Sequence, residues 1–202
     1  MLLVLAAALA VAAPTPGAAA EPSSPAEVLR VYLVRHGQAF SNLDPRPDLP
    51  ADQLDRLTAL GHEQASETGR ALALRQPALV LTSPAGRARE TAEEIRQAAA
   101  GVTVRTEPRV RPQEDDESPA QVAERVLRAV RDERKRHRGH AIVVVAHSEV
   151  IGAFLALVRS ESGATAEPVT VRNGSVSLVE LGAHGKVELV FANRLPDELP
   201  PP

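Results

Sequence analysis

The sequence predicts a three-layer α/β/α fold with a largely parallel central sheet and a C-terminal hairpin. Two short apolar runs, residues 31–34 and 141–146, have the composition of strands that are buried on both faces. Asn173 followed by Gly174 lies between apolar stretches and predicts a two-residue hairpin turn. A second turn is expected at 182–185, between the two strands of the C-terminal hairpin.

The boundaries of the helices follow from capping residues. Thr58 can N-cap a helix, and Ser83 with Pro84 is expected to begin another. Ser118 and Gln121 have the spacing of a capping box. In chain order, strands are predicted at 29–34, 78–82, 102–105, 141–146, 175–181 and 186–191, and helices at 58–75, 83–101, 118–139 and 148–158. Residues 38–55 are expected to form a loop.

Composition narrows the class of protein. The chain has 202 residues, of which 44% are hydrophobic and 24% are charged, as is ordinary for one soluble globular domain. The net charge of −3 gives no general reason to expect nucleic acid or an anionic membrane as a partner. Because the chain has no cysteine, disulfides and thiolate chemistry are excluded. The histidines show no metal-ligand spacing, so no metal or other cofactor is expected.

The N-terminus differs from the rest of the chain. Residues 1–13 are apolar, and three alanines before Glu21 are typical of a signal-peptide cleavage site. We expect a signal peptide at 1–20, a linker at 21–27, a catalytic domain at 28–195 and a flexible tail at 196–202. The protein would then be periplasmic or extracellular. An uncleaved anchor or a misplaced start codon is the alternative, and without a signal the protein would be cytoplasmic. No later segment has the length and apolar character to insert stably in a membrane.

Polar residues follow two of the buried strands at the point where each strand ends. Arg35 and His36 come directly after the first strand, and His147 follows the strand at 141–146. Gly37 would let the backbone turn sharply or approach a ligand closely. Ligands of open α/β sheets bind beyond the carboxyl ends of the strands. The two histidines would therefore face one another if these strands are neighbours.

Five motifs occur in a specific order between residues 29 and 181. They are Arg35-His36-Gly37, LTALGHEQA at 57–65, SPAGRA at 83–88, VAHS at 145–148 and NGS at 173–175. In this order they resemble the motifs of the histidine phosphatase superfamily, the phosphoglycerate mutase-like proteins. Arg-His-Gly alone would be weak evidence, whereas five ordered motifs are specific.

The resemblance implies a phosphatase that hydrolyses phosphate monoesters through a phosphohistidine intermediate. His36 would be the nucleophile, a role that the residues alone leave open between the two histidines. Arg35, Arg87 and His147 would bind the phosphoryl group, and Arg87 would do so from the first turn of a helix, where anions are already favoured.

Further contacts with the substrate are expected from residues near these motifs. The family keeps an asparagine near the position of Asn42 that contacts the phosphate region. Gly37 and Ser148 are the other expected substrate-binding residues, because each adjoins one of the two histidines.

The proton donor for the leaving group is the weakest match to the family. The family usually takes this acid from a glutamate after the third strand, and here Pro112 stands near that position. Glu114 is the first choice, followed by Asp115, Asp116 and Glu117. A working acid would need a pKa raised by burial or by its acidic neighbours.

Two other functions remain open at this stage. One is a phosphoglycerate mutase-type phosphotransferase, although the expected export and the short loop that carries Glu114 favour hydrolysis. The other is a non-catalytic module that binds a phosphorylated ligand. The expected partner is a small-molecule or protein phosphate monoester, with no nucleic acid, and the sequence does not predict the oligomeric state.

Overall fold

A six-stranded sheet lies at the centre of the part of the chain that the computed structural model describes, residues 27–161, 163, 170–182 and 185–202. The strands are β1 (Leu29–Arg35), β2 (Leu79–Thr82), β3 (Thr103–Thr106), β4 (Ala141–Ala146), β5 (Val176–Leu181) and β6 (Val187–Arg194). Their order is β3-β2-β4-β1-β5-β6. The first four strands are parallel, and β5 and β6 form an antiparallel hairpin. The predicted signal peptide and residues 21–26 of the predicted linker lie outside the described residues.

Helices cover both faces of this sheet. They are α1 (Ala51–Leu54), α2 (Ala59–Ala73), α3 (Gly86–Ala98), α4 (Pro119–Arg134) and α5 (Ser148–Glu161). Successive side chains of a strand point to opposite faces. Leu33 therefore packs in one apolar cluster with α4 and α5, and Val34 packs in the other with α2 and α3. The predicted three-layer fold is confirmed.

Two of the three helix starts that were predicted from capping residues are confirmed. The Thr58 hydroxyl accepts a hydrogen bond from the Gly61 amide at 3.0 Å, and Ser118 forms the expected capping box. The start predicted at Ser83 is wrong, because α3 begins at Gly86 with Ala85 as its N-cap. The four-residue helix α1 lies within the segment predicted as a loop.

The Asn173-Gly174 turn does not join two paired strands, so the two-residue hairpin predicted there is wrong. The Gly174 amide instead donates to the Arg35 carbonyl at 3.1 Å, which holds the turn against the end of β1. The hairpin between β5 and β6 is confirmed, since the Gly182 amide donates to the Lys186 carbonyl at 3.0 Å, whereas residues 183 and 184 of the second predicted turn lie outside the described residues.

Residues of the C-terminal tail contact the domain, and the flexibility predicted at 196–202 stays a prediction. Residues Pro196–Glu198 form a 3-10 turn. The Glu198 carboxylate pairs with Arg172 at 2.6 Å, and Arg75 donates to the Pro200 carbonyl. Leu199 packs against the apolar cluster below α2 and α3. Among the described residues, no helix combines the length and apolar composition that a membrane span needs.

Candidate active site

The ends of β1 and β4 bring two histidines together. Arg35, the last residue of β1, is paired in register with Ala146, the last residue of β4. His36 and His147 follow at the same edge of the sheet, and their ring centroids are 5.2 Å apart. Both are buried, with 3% and 1% of their surface exposed. The prediction that their strands are neighbours is confirmed.

Arg87 connects the two rings. It lies in the first turn of α3, which follows β2, the other neighbour of β4. Its Nε donates to Nε2 of His36 at 3.1 Å, and its Nη2 donates to Nδ1 of His147 at 3.1 Å. The guanidinium therefore lies against both histidines with its charge at the centre of the site.

These contacts fix the proton on each ring. Because a guanidinium can only donate, the two ring nitrogens that face Arg87 must be unprotonated. The remaining proton of His36 then lies on Nδ1, which donates to the Gly37 carbonyl at 2.7 Å. The remaining proton of His147 lies on Nε2, which donates to the Ser83 hydroxyl at 2.8 Å. His36 thus presents the lone pair of Nε2 to the site.

Burial favours the neutral form of both histidines. It lowers the pKa of His36 to about 3, an effect to which the charges of Arg87 and Arg35 add. Burial also lowers the pKa of His147 to about 2, with contributions from His36 and Arg87. At neutral pH the empty site thus contains two neutral imidazoles beside two arginines.

Arg35 offers a second charged donor. Its Nη1 donates to the Val171 carbonyl at 2.6 Å, which holds the side chain in place. Its Nε is buried and has no hydrogen-bond partner within the described chain. Burial lowers the pKa of Arg35, yet a guanidinium stays charged at neutral pH. An unpaired buried donor of this kind suits an oxyanion.

The segment 57–65 supports the loop that carries His36. A Cβ on Gly37 would lie 2.2 Å from the Gly61 carbonyl oxygen, and a Cβ on Gly61 would lie 2.0 Å from the Gln38 carbonyl oxygen. Both positions therefore need glycine for the two segments to pack this closely. The amide of Gly37 donates to the Thr91 hydroxyl at 3.1 Å, and the amide of Gln38 donates to Gln64 at 2.8 Å. Gly37 therefore positions the loop, and its predicted contact with substrate stays a prediction.

Asn42 and Ser148 lie near the histidines and have internal partners. The Oδ1 of Asn42 accepts from the Ala39 amide at 3.0 Å and from Nδ2 of Asn173 at 3.3 Å. The same Nδ2 donates to the His36 carbonyl at 3.0 Å. The Ser148 hydroxyl donates to Glu149 at 3.2 Å. The predicted roles of Asn42 and Ser148 in substrate binding stay predictions.

The structure does not support Glu114 as the proton donor. Its side chain is 59% exposed and accepts two hydrogen bonds from Arg111, both at 2.8 Å. These bonds hold its pKa below the usual range, which is opposite to what a donor needs. Glu117 is held in the same way by Arg125, which lowers its pKa to about 2.

Asp55 holds the N-terminus of α3, a role that was not predicted from the sequence. One of its oxygens accepts from the Gly86 amide at 2.6 Å, and the other pairs with Nη1 of Arg87. No sequence pattern pointed to this contact, because the residues are about 30 positions apart. Ser83, read as a helix cap, is instead a partner of His147.

Among the described residues, no group of three or more acidic or histidine side chains is arranged to hold a metal.

The family model for the histidine phosphatase superfamily (branch 1) matches the chain over residues 31–114 and 104–194. No curated protein is significantly similar to the chain in sequence.

Solved structures share the fold. A mycobacterial glucosyl-3-phosphoglycerate phosphatase in complex with VO3 is 22% identical, with 81% of this chain and 98% of that chain covered and a TM-score of 0.67. For a phosphoserine phosphatase from Entamoeba histolytica in complex with 3-phosphoglyceric acid the identity is 19%, the coverages are 85% and 100%, and the TM-score is 0.68. A phosphoglycerate mutase from Bacillus anthracis is 16% identical, with 84% of this chain and 94% of that chain covered and a TM-score of 0.70. The family match over most of its length shows that the chain belongs to the histidine phosphatase superfamily.

Proposed function

We propose that this protein hydrolyses phosphate monoesters, with His36 as the nucleophile and a phosphohistidine as the intermediate. The observation that carries this proposal is the double contact of Arg87 with His36 and His147, each at 3.1 Å. It leaves a lone pair on Nε2 of His36 and places a permanent positive charge beside it. A phosphoryl group bound by Arg87 would therefore lie next to the nucleophile.

The first step is transfer of the phosphoryl group to His36. The phosphoryl oxygens take the Nε and Nη2 donors of Arg87, and the guanidinium of Arg35 adds a second positive charge to the site. This exchange frees Nε2 of His36, which attacks phosphorus while the bond to the ester oxygen breaks. The leaving oxygen takes a proton from water as it departs, so the alcohol is released. Two arginines stabilise the charge that develops on the phosphoryl oxygens.

The second step is hydrolysis of the phosphohistidine. Water attacks phosphorus, the N–P bond breaks, and the products are inorganic phosphate and neutral His36. His147 assists both steps by binding the phosphoryl group. A phosphate dianion in contact with its ring favours the charged imidazolium, so Nδ1 becomes a charged donor once substrate is bound.

The substrate class we propose is a small-molecule or protein phosphate monoester. Two of the structural relatives are phosphatases by name, for glucosyl-3-phosphoglycerate and for phosphoserine. The fold is also that of a phosphoglycerate mutase, at a TM-score of 0.70. Assaying interconversion of phosphoglycerates beside phosphate release separates hydrolysis from mutase activity.

We propose export on the basis of the apolar N-terminus. Expression of the full chain in a bacterial host, followed by mass measurement of the product, tests this. A periplasmic or secreted protein that begins at Glu21 is expected. An intact chain retained in the cytoplasm would contradict it.

The test of the function is release of phosphate from an aryl phosphate. His36→Ala is expected to lower kcat/KM at least about 1,000-fold, because the nucleophile is lost. His62→Ala is the matched control, since His62 lies on α2 and its side chain is 48% exposed. Activity of His36→Ala close to that of the wild type would overturn the proposal. Phosphate binding without turnover in the wild type would point to a binding module.

A further inference from the structure

One carboxylate, that of Asp55, holds two consecutive residues of α3. Its Oδ2 accepts from the backbone amide of Gly86 at 2.6 Å, and its Oδ1 pairs with Nη1 of Arg87. Asp55 itself is fixed at the end of α1, where its amide donates to the Ala51 carbonyl at 3.1 Å. The contact therefore joins the segment before α2 to the helix that carries Arg87.

The start of α3 is shaped to accept this carboxylate. Its N-cap, Ala85, has no side chain that could accept a hydrogen bond, so Asp55 provides the cap from a distant segment. A Cβ on Gly86 would lie 2.7 Å from the backbone oxygen of Asp55 and 3.1 Å from its Oδ2. Glycine at position 86 is thus what allows Asp55 to come this close.

Asp55 also completes the set of contacts around Arg87. The other two nitrogens of the guanidinium donate to His36 and His147. These two bonds must break when phosphoryl oxygens take the donors of Arg87. The pair between Arg87 and Asp55 lies on the remaining nitrogen, Nη1, so it persists through the exchange. Both oxygens of Asp55 accept hydrogen bonds, so neither presents a proton to a substrate.

We propose that Asp55 is a positioning residue that keeps the guanidinium of Arg87 aimed at the phosphoryl group after the histidines release it. Its effect on turnover rests on the proposed function, whereas its effect on phosphate binding does not. The proposal is therefore testable even if the natural reaction is not hydrolysis.

A double-mutant cycle separates positioning from simple support of the helix. Asp55→Asn keeps an oxygen that can cap Gly86 but turns a donor toward Arg87. In the wild-type background it is expected to lower kcat/KM for an aryl phosphate, and the affinity for inorganic phosphate measured by calorimetry, by about 10- to 100-fold. In the Arg87→Ala background the same change is expected to alter phosphate affinity less than about twofold.

Two further variants complete the design. Asp52→Asn removes the same charge from the exposed side of α1 and is expected to leave activity and phosphate binding unchanged. Gly86→Ala displaces Asp55 without altering either charge and is expected to reproduce the loss, which keeps the test valid if Asp55→Asn folds poorly.

Equal losses of phosphate affinity from Asp55→Asn in both Arg87 backgrounds would overturn the positioning role and leave the proposed function standing. Phosphate binding that depends on Asp55 only when Arg87 is present, in a protein without turnover, would support the positioning role and overturn the proposed function. A wild-type protein that neither releases nor binds phosphate would overturn both.

Discussion

Arginines in two regions of this molecule have opposite surroundings. Arg87, between the ends of β1 and β4, contacts two neutral histidines and one carboxylate. In the loop after β3, which we call the acid loop (residues 107–118), Arg111 and Arg125 are paired with Glu114 and Glu117. A neutral imidazole orients a guanidinium without cancelling its charge, whereas a carboxylate cancels it. Together with Arg35, the first region has two arginines for the single carboxylate of Asp55, so it retains net positive charge for a phosphate. In the second region the two carboxylates match the two arginines, and the ion pairs hold the loop.

The acid loop illustrates the second use in detail. The side chain of Arg125 is only 6% exposed. It donates to the carbonyls of Arg109 and Pro112 at 2.6 and 3.2 Å as well as to Glu117. Such a buried pair fixes the path of the loop, and removing one member leaves the other uncompensated.

Replacing one arginine in each region by alanine should separate phosphate binding from support of the loop most clearly. Arg87→Ala is expected to lower kcat/KM for an aryl phosphate about 100- to 1,000-fold, because a charged donor to the phosphoryl oxygens is lost. Arg111→Ala, its counterpart in the acid loop, should change kcat/KM less than about threefold. Steady-state kinetics measures both. Similar losses from the two variants would contradict the distinction.

Replacing the buried arginine of the acid loop should lower the stability of the protein. Arg125→Met is expected to lower the free energy of unfolding by about 3 kcal/mol, since the carboxylate of Glu117 stays 10% exposed with its main partner gone. Urea unfolding measures this. Arg128→Met, on the exposed side of α4, is the control and should be close to neutral. An Arg125 variant as stable as the wild type would mean that the loop is not held in this way.

A fall in pH should lower the free energy of unfolding, because His36 and His147 are held neutral in the folded protein. The pKa values of His36 and His147 are lowered to about 3 and about 2 from the ordinary value of 6.5, so below 6.5 the unfolded chain binds more protons. Above about pH 6.5 these two histidines do not lower the free energy of unfolding. Below that pH the free energy of unfolding decreases, and it continues to decrease as the pH falls toward 3. The decrease is about 1.4 kcal/mol per pH unit for each histidine.

Urea unfolding at pH 7 and pH 5.5 tests this dependence. In a variant that combines His36→Gln with His147→Gln, the loss of stability between the two pH values should be smaller by about 3 kcal/mol. An unchanged loss would show that these rings are already charged, or that they titrate as in the unfolded chain.

The smallest expected effect is at Glu114. Glu114→Gln should change kcat less than about threefold and leave its pH profile in place, because this exposed carboxylate is ionised by its contact with Arg111. The pH profile of kcat measures this. A loss of 100-fold or more, with the basic limb of the profile removed, would restore Glu114 as the proton donor.

Much of the fold could be predicted from the sequence because its signals are local. Thr58 and Ser118 cap helices as their spacing predicts, and β4 is buried along its whole length as its apolar run predicts. The pairing of His36 with His147 followed from two strands that each end in a histidine. Such features depend on neighbouring residues and on one rule of sheet topology.

The helix start predicted at Ser83 is wrong because the partners that decide it are distant in the sequence. Ser83 with Pro84 reads as a helix start, yet the hydroxyl of Ser83 bonds His147 and the cap comes from Asp55. A proton donor at Glu114 would need a raised pKa, but Arg111 pairs with Glu114 and lowers its pKa. The cap cannot be predicted without the tertiary contact of Asp55, and the lowered pKa cannot be predicted without the loop conformation that pairs Arg111 with Glu114.

Identification of the covalent intermediate is the decisive test of His36 as the nucleophile. The wild-type protein would be mixed with an aryl phosphate labelled in its phosphoryl group, quenched in alkali within milliseconds, digested and analysed by mass spectrometry. The account predicts an alkali-stable, acid-labile phosphoryl group on the peptide that contains His36, absent from His36→Ala and present in His62→Ala. Turnover with no label on that peptide, or with the label on another residue, would contradict it.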